Sequence, residues 1–254
     1  MNAGNHSVMA VLLLMLLGTS IITGAAIIFL LSNWLRRRQG FTISSLGTND
    51  SYSLNNSPFL ERPTRWVAIR STNLMKVQEA FGLHNPIPCS SIEGLSKLNE
   101  RKLFVSPPVN GWILVMGPAL PDPHDDIDDC FRFIMHLSRE LGGVQFFSVN
   151  RAVNHHAWVR VENERIFRAY AWAGETLWNQ GDMTAAEREL GMLCYRYGEK
   201  SSTFPFSARE AHAANTEKIM HLAARWSIDP MVLLGLSRQS NTGIAGDTSL
   251  GRLF

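Results

Sequence analysis

VQFFSVN at 144–150, HHAWVRVE at 155–162 and RIFRAYAW at 165–172 follow one another with short interruptions, and their reading decides the fold. Each run is rich in β-branched and aromatic residues, which suit a pleated, packed surface. Asn163 and Glu164 fill the two-residue gap between the second and third runs, the spacing of a hairpin turn. The runs therefore predict an antiparallel meander. A two-residue turn sets His155 opposite Trp172, Ala157 opposite Tyr170, Val159 opposite Arg168 and Val161 opposite Ile166. His156, Trp158, Arg160 and Phe167 are left on the other face, where aromatic rings and guanidinium can stack a planar ligand or meet an acidic partner. Those four are the candidate binding residues.

Working upstream, DDIDDCFRFIMHLSRELGG at 125–143 opens with acids and closes with glycines, which suits the two ends of a helix. WVAIRS from Trp66 reads as a strand, and Leu74, Val77 and Phe81 recur at helical spacing, predicting a helix over 72–83 closed by Pro86 and Pro88. Ser90 with Glu93 has the form of a capping box for a helix over 91–100. Residues 103–105 and 112–116 read as buried strands across the turn SPPVNG. Downstream, Thr184 with Glu187 caps a short helix ending near Gly191, and a polar loop leads to a helix pair at 215–226 and 230–236. The remainder reads as a tail. No fixed-period repeat is visible, so solenoids and propellers are excluded, and the class is α+β: an antiparallel sheet with packed helices.

Ahead of this lies a different solvent. No Lys, Arg, Asp or Glu precedes Arg36, and Val8 to Leu31 form an uncharged run of 24 residues. At about 1.5 Å per residue it spans roughly 36 Å, enough to cross a hydrocarbon core. Trp34 marks the interface, and Arg36, Arg37 and Arg38 stop transfer and favour the cytoplasmic side. A cleaved signal peptide needs a basic segment ahead of a shorter apolar run, and none is present. Residues 39–63, rich in Ser, Asn and Thr, read as a flexible tether. The predicted order is a short segment 1–7, a transmembrane helix 8–35, a basic stop and tether 36–63, an α+β domain 64–200, a C-terminal helix pair 201–237 and a tail 238–254.

Composition excludes some functions. With 24 Lys and Arg against 22 Asp and Glu, the chain lacks the basic excess of a nucleic-acid binder, and the helix pair has no basic recognition helix. Cys89, Cys130 and Cys194 are odd in number and lack metal-ligand spacing, which suits free thiols in a reducing compartment. No phosphate-binding glycine motif occurs, and no HExxH or CxxC, so neither cofactor nor metal is expected.

One constellation could support catalysis. Cys130 stands near the start of a predicted helix, and His155 and His156 open a following strand; a helix field and an imidazole can together activate a thiol. This order resembles the transglutaminase-like and papain-like cysteine core over about residues 125–172. In that family an Asp on the next strand orients the histidine, whereas RIFRAYAWAG offers no acid before Glu175. Asp125, Asp126, Asp128 and Asp129 also crowd the thiol and oppose its ionisation. The strings SPPVNGWILVMG, LPDP, GGVQFF, HHAWVRVE and RAYAWAGETLWNQG, spread over about 65–198, resemble a bacterial protein family of uncharacterised function, which implies a shared fold and no activity. The reading is a single-pass protein of the bacterial cytoplasmic membrane whose cytosolic domain binds a partner or small ligand at the hairpin face. Its alternative is a cysteine-dependent hydrolase or acyltransferase using Cys130 and one of the two histidines.

Overall fold

A computed structural model of the chain describes residues 64–96, 98, 99, 101–235 and 242–248. The predicted membrane helix and tether lie outside the described residues. Among the described residues no helix is long and apolar enough to cross a membrane.

The strands are β1 (Arg65–Arg70), β2 (Leu83–Cys89), β3 (Lys102–Val105), β4 (Trp112–Met116), β5 (Gly143–Asn150), β6 (His155–Glu162), β7 (Arg165–Trp172), β8 (Thr176–Gln180) and β9 (Gly243–Thr248). The helices are α1 (Leu74–Ala80), α2 (Ser91–Ser96), α3 (Ile127–Leu141), α4 (Ala185–Glu189), α5 (Phe206–Ala213), α6 (Asn215–Trp226) and α7 (Val232–Gly235). All nine strands join one sheet in the order β2-β9-β3-β4-β1-β5-β6-β7-β8. Every neighbouring pair is antiparallel. The predicted meander is its β5-β6-β7 portion.

Helices cover both faces, which explains why the central strands read as nearly continuous apolar runs. On one face Val67, Ile69, Phe146, Val159 and Val161 pack with Val77 and Phe81 and with Cys130, Phe133, Ile134 and Leu137 of α3. On the other, Trp66, Ala68, Phe147, Trp158, Tyr170 and Trp172 pack with Ile219, Leu222, Ala223 and Trp226 of α6. Local chemistry fixes the helix ends. Asp126 accepts the Asp129 amide at the start of α3, and Gly142 closes that helix. Thr184 and Glu187 form a complete capping box on α4.

Four expectations are corrected. Pro86 and Pro88 do not merely end a helix; they lie in β2, an edge strand whose register shifts between His84 and Ile87, where a missing N–H is tolerated. The presumed polar loop before residue 215 contains α5. The presumed tail contributes β9, inserted between β2 and β3. The β6-β7 register also differs. Asn163 and Glu164, both with positive φ, make the expected two-residue turn, and Val161 faces Ile166. A bulge then extrudes Phe167, so Arg160 faces Arg168, Trp158 faces Tyr170 and His156 faces Trp172. The extra residue rotates Arg168, Tyr170 and Trp172 onto the face of His156 and Trp158.

Candidate functional site

The four candidate binding residues do not form one accessible surface, since the helices bury two of them. Trp158 is wholly buried, and its Nε1 donates to Glu187 Oε1 at 2.8 Å. Arg168, also buried, donates from Nε to the same oxygen at 2.7 Å. Its Nη1 reaches Asn179 Oδ1 at 2.8 Å and the Gly181 carbonyl at 3.1 Å, and its Nη2 reaches Cys194 Sγ at 3.2 Å. The other Glu187 oxygen accepts from Thr184 N and Oγ1. A buried ion pair this fully bonded joins β6, β7 and α4. Burial pushes the Cys194 thiol up to about 12 despite the adjacent guanidinium.

His156 is buried as well. Its ring stacks on Trp158, with centroids 5.7 Å apart, and lies 4.9 Å from the His212 ring of α5. Its Nε2 is 3.4 Å from Asn215 Nδ2. Burial, then repulsion by His212, lowers its pKa to about 3, with a weak approach of the Asn154 backbone opposing them. His212 stacks on Tyr195, and its Nε2 is 2.9 Å from the Tyr170 hydroxyl; burial lowers it to about 4. These groups fasten α5 and α6 to the sheet.

The catalytic candidates are not brought together as a dyad. Cys130 faces the α3 side and is fully buried, while His156 belongs to the opposite face. Burial raises the thiol pKa, with Asp122 and Asp129 adding to it. His155 points away from His156 and sits 4.2 Å from the His124 ring. Burial lowers its pKa, helped by His124. Among the described residues Cys130 has no hydrogen bond to a histidine, and no group of three or more His, Cys, Asp or Glu is placed to hold a metal.

Arg160 and Phe167 remain accessible. Phe167 is 44 % exposed, with the Arg165 guanidinium 5.3 Å and that of Arg160 6.0 Å from its ring centre. Arg160 also lines a concavity on the α6 face, a shelf of about 250 Å³ beyond the end of that helix. Its floor follows from the register. Trp112 of β4 faces Arg70 of β1, Ala68 faces Gln145 of β5, Gln145 faces Arg160 of β6, and Gly143 faces Glu162. Gly143 keeps the floor open, since a Cβ there would meet nothing closer than Glu162 at 3.9 Å. Trp226, the last residue of α6, supplies the wall, its carbonyl accepting from Gln145 Nε2 at 3.0 Å.

Gln145 Oε1 and Trp226 Nε1 are buried from solvent and have no hydrogen-bond partner among the described residues. Arg70 is exposed and makes no ion pair among the described residues. Arg160 donates from Nε and Nη2 to Glu162 Oε1. Arg160 was legible as a candidate; Arg70, Trp112, Gln145 and Trp226 were not. The available signal was that Gln145 and Arg160 each interrupt an apolar strand, but only the placement of β1 beside β5 brings Arg70 to their floor.

No family model, curated protein or solved structure matches the chain.

Proposed function

We propose that the protein is a single-pass, membrane-anchored binding module whose domain takes an anionic ligand on the Arg70–Arg160 shelf. The observation that carries this reading is the convergence of two arginines on one open concavity, one of them, Arg70, exposed and making no ion pair among the described residues. The uncharged run at 8–31 and the arginines at 36–38 support anchoring in the bacterial cytoplasmic membrane with the domain in the cytosol. Burial and the nearby Asp122 and Asp129 outweigh the one favourable charge, Arg65, and hold Cys130 as a thiol, so binding is preferred to thiol catalysis.

Calorimetric titration of the full chain in detergent with benzoate and inorganic phosphate tests the reading. At least one anion binds, more weakly as salt rises, and binding falls at least tenfold in Arg70→Ala. If neither anion gives an Arg70-dependent heat, the shelf is not an anion site.

A further inference from the structure

We propose, resting on that reading of the shelf, that its ligand is a free amino acid bound as a zwitterion, its carboxylate on Arg70 and its ammonium on Glu162. The sheet register sets these two residues on opposite banks of one gap. Ile69, Val144 and Val161 all pack on the α3 face, so their sequence neighbours Arg70, Gly143 and Glu162 share the α6 face. Gly143 pairs with Glu162, and Arg70 lies one step beyond the pairing of Ile69 with Val144. Arg70 and Glu162 therefore stand two strands apart, roughly 10 Å between backbones, with no side chain on the strand between them. All three line the open concavity. A Cβ at Gly143 would meet nothing closer than Glu162 at 3.9 Å, so the gap is open space.

The two banks differ in what they offer. Arg70 is exposed and makes no ion pair among the described residues, so its guanidinium is open to a carboxylate, which it meets with two parallel bonds. On the other bank Arg160 directs Nε and Nη2 to Glu162 Oε1, which leaves Oε2 without a hydrogen bond among the described residues. The Glu162 side chain is 43 % exposed, so that oxygen is within reach of a ligand. Arg160 and Glu162 cancel as a pair, and the carbonyl end of α6 at Trp226 adds about half a negative charge to the concavity. A plain anion on Arg70 gains nothing from Glu162 and the helix end, whereas an ammonium beside the carboxylate donates to both. A volume of about 250 Å³ lies below the roughly 300–1,000 Å³ of drug-sized ligand sites and suits one amino acid rather than a peptide or nucleotide. Trp112, paired with Arg70 on β4 and half-buried, presents its indole to the ligand side chain, so an aromatic amino acid is favoured.

Calorimetry on the full chain in detergent tests this with L-phenylalanine, with 3-phenylpropionate, which lacks the ammonium, and with 2-phenylethylamine, which lacks the carboxylate. Phenylalanine binds, and each of the other two binds at least about tenfold more weakly. Arg70→Ala abolishes the binding of phenylalanine. Glu162→Gln weakens phenylalanine about tenfold and strengthens 3-phenylpropionate, because Arg160 is then released to a carboxylate; a folding defect would weaken both. Gly143→Val, which fills the gap, abolishes phenylalanine binding while the circular dichroism spectrum is unchanged. If 3-phenylpropionate or benzoate binds as well as phenylalanine, through Arg70 and regardless of Glu162, the zwitterion is wrong and the anion site stands; if none gives an Arg70-dependent heat, both fall.

Discussion

Cys130 and Glu187 show how burial decides what a reactive side chain can do. Cys130 occupies the first turn of α3 but faces a dry core, and desolvation outweighs any help from the helix field. Iodoacetamide at pH 7–8 therefore labels Cys130 only as fast as the domain opens, and His155→Ala or His156→Ala leaves that rate unchanged except through stability. Rapid labelling lost in one histidine variant would restore the nucleophile. Glu187 presents the opposite case, a buried charge kept by its partners. Removing it strands the Arg168 guanidinium, so Glu187→Ala costs about 3–5 kcal/mol in denaturant melts followed by tryptophan fluorescence. Replacing Arg168 and Glu187 together by Met and Leu recovers much of that loss, because the charge is then no longer stranded.

Among the elements, those governed by adjacent residues were legible and those governed by distant ones were not. Asp126, Thr184 with Glu187, and the Asn163-Glu164 turn declare themselves in sequence because each makes its bonds within a few residues. The bulge at Phe167 does not, since its stabilising contacts come from Glu187 on α4 and from the chain after β8. Gly181 is part of that arrangement: it holds φ at +74°, and a Cβ there would lie 2.2 Å from the Phe167 carbonyl oxygen. Gly181→Ala is expected to destabilise the domain by at least about 2 kcal/mol and to speed amide exchange along β7 and β8. A melt within about 0.5 kcal/mol of the parent would mean that the bulge adjusts freely. β9 was read as tail because GIAGDT looks like a loop. Its glycines are there for proximity, a Cβ at Gly243 falling 2.5 Å from the Val105 oxygen and one at Gly246 falling 2.8 Å from that of His84.

For the whole molecule, the α+β class followed from pattern alone, while the site did not. Gln145 and Arg160 are paired by consecutive strands, but Arg70 joins them only because β1 enters the sheet beside β5, a non-local choice that no sequence window contains. The second helical layer also sets the response to acid. His156 and His212 have pKa values of about 3 and about 4 in the folded protein, against about 6.5 for an unfolded chain. The unfolded state thus binds protons first as pH falls. Stability is complete above about pH 6.5 and is lost progressively towards pH 4 and then 3, by several kcal/mol in total. Tyr170, Tyr195 and Asn215, which face these rings, supply no carboxylate to offset the charge. Melting temperatures measured from pH 7 to 4 should fall, and less steeply in His212→Gln. A flat profile would show that both imidazoles are already protonated or exposed.

The place of β9 also has a consequence for biosynthesis. Strands β2 and β3 leave the ribosome roughly 140 residues before the strand that lies between them. At about 5–20 residues per second, translation leaves this gap open for about 7–30 s. During that interval two strand edges stand ready for any extended chain, so a nascent protein of this kind calls for a holding chaperone that shields them until its own last strand arrives.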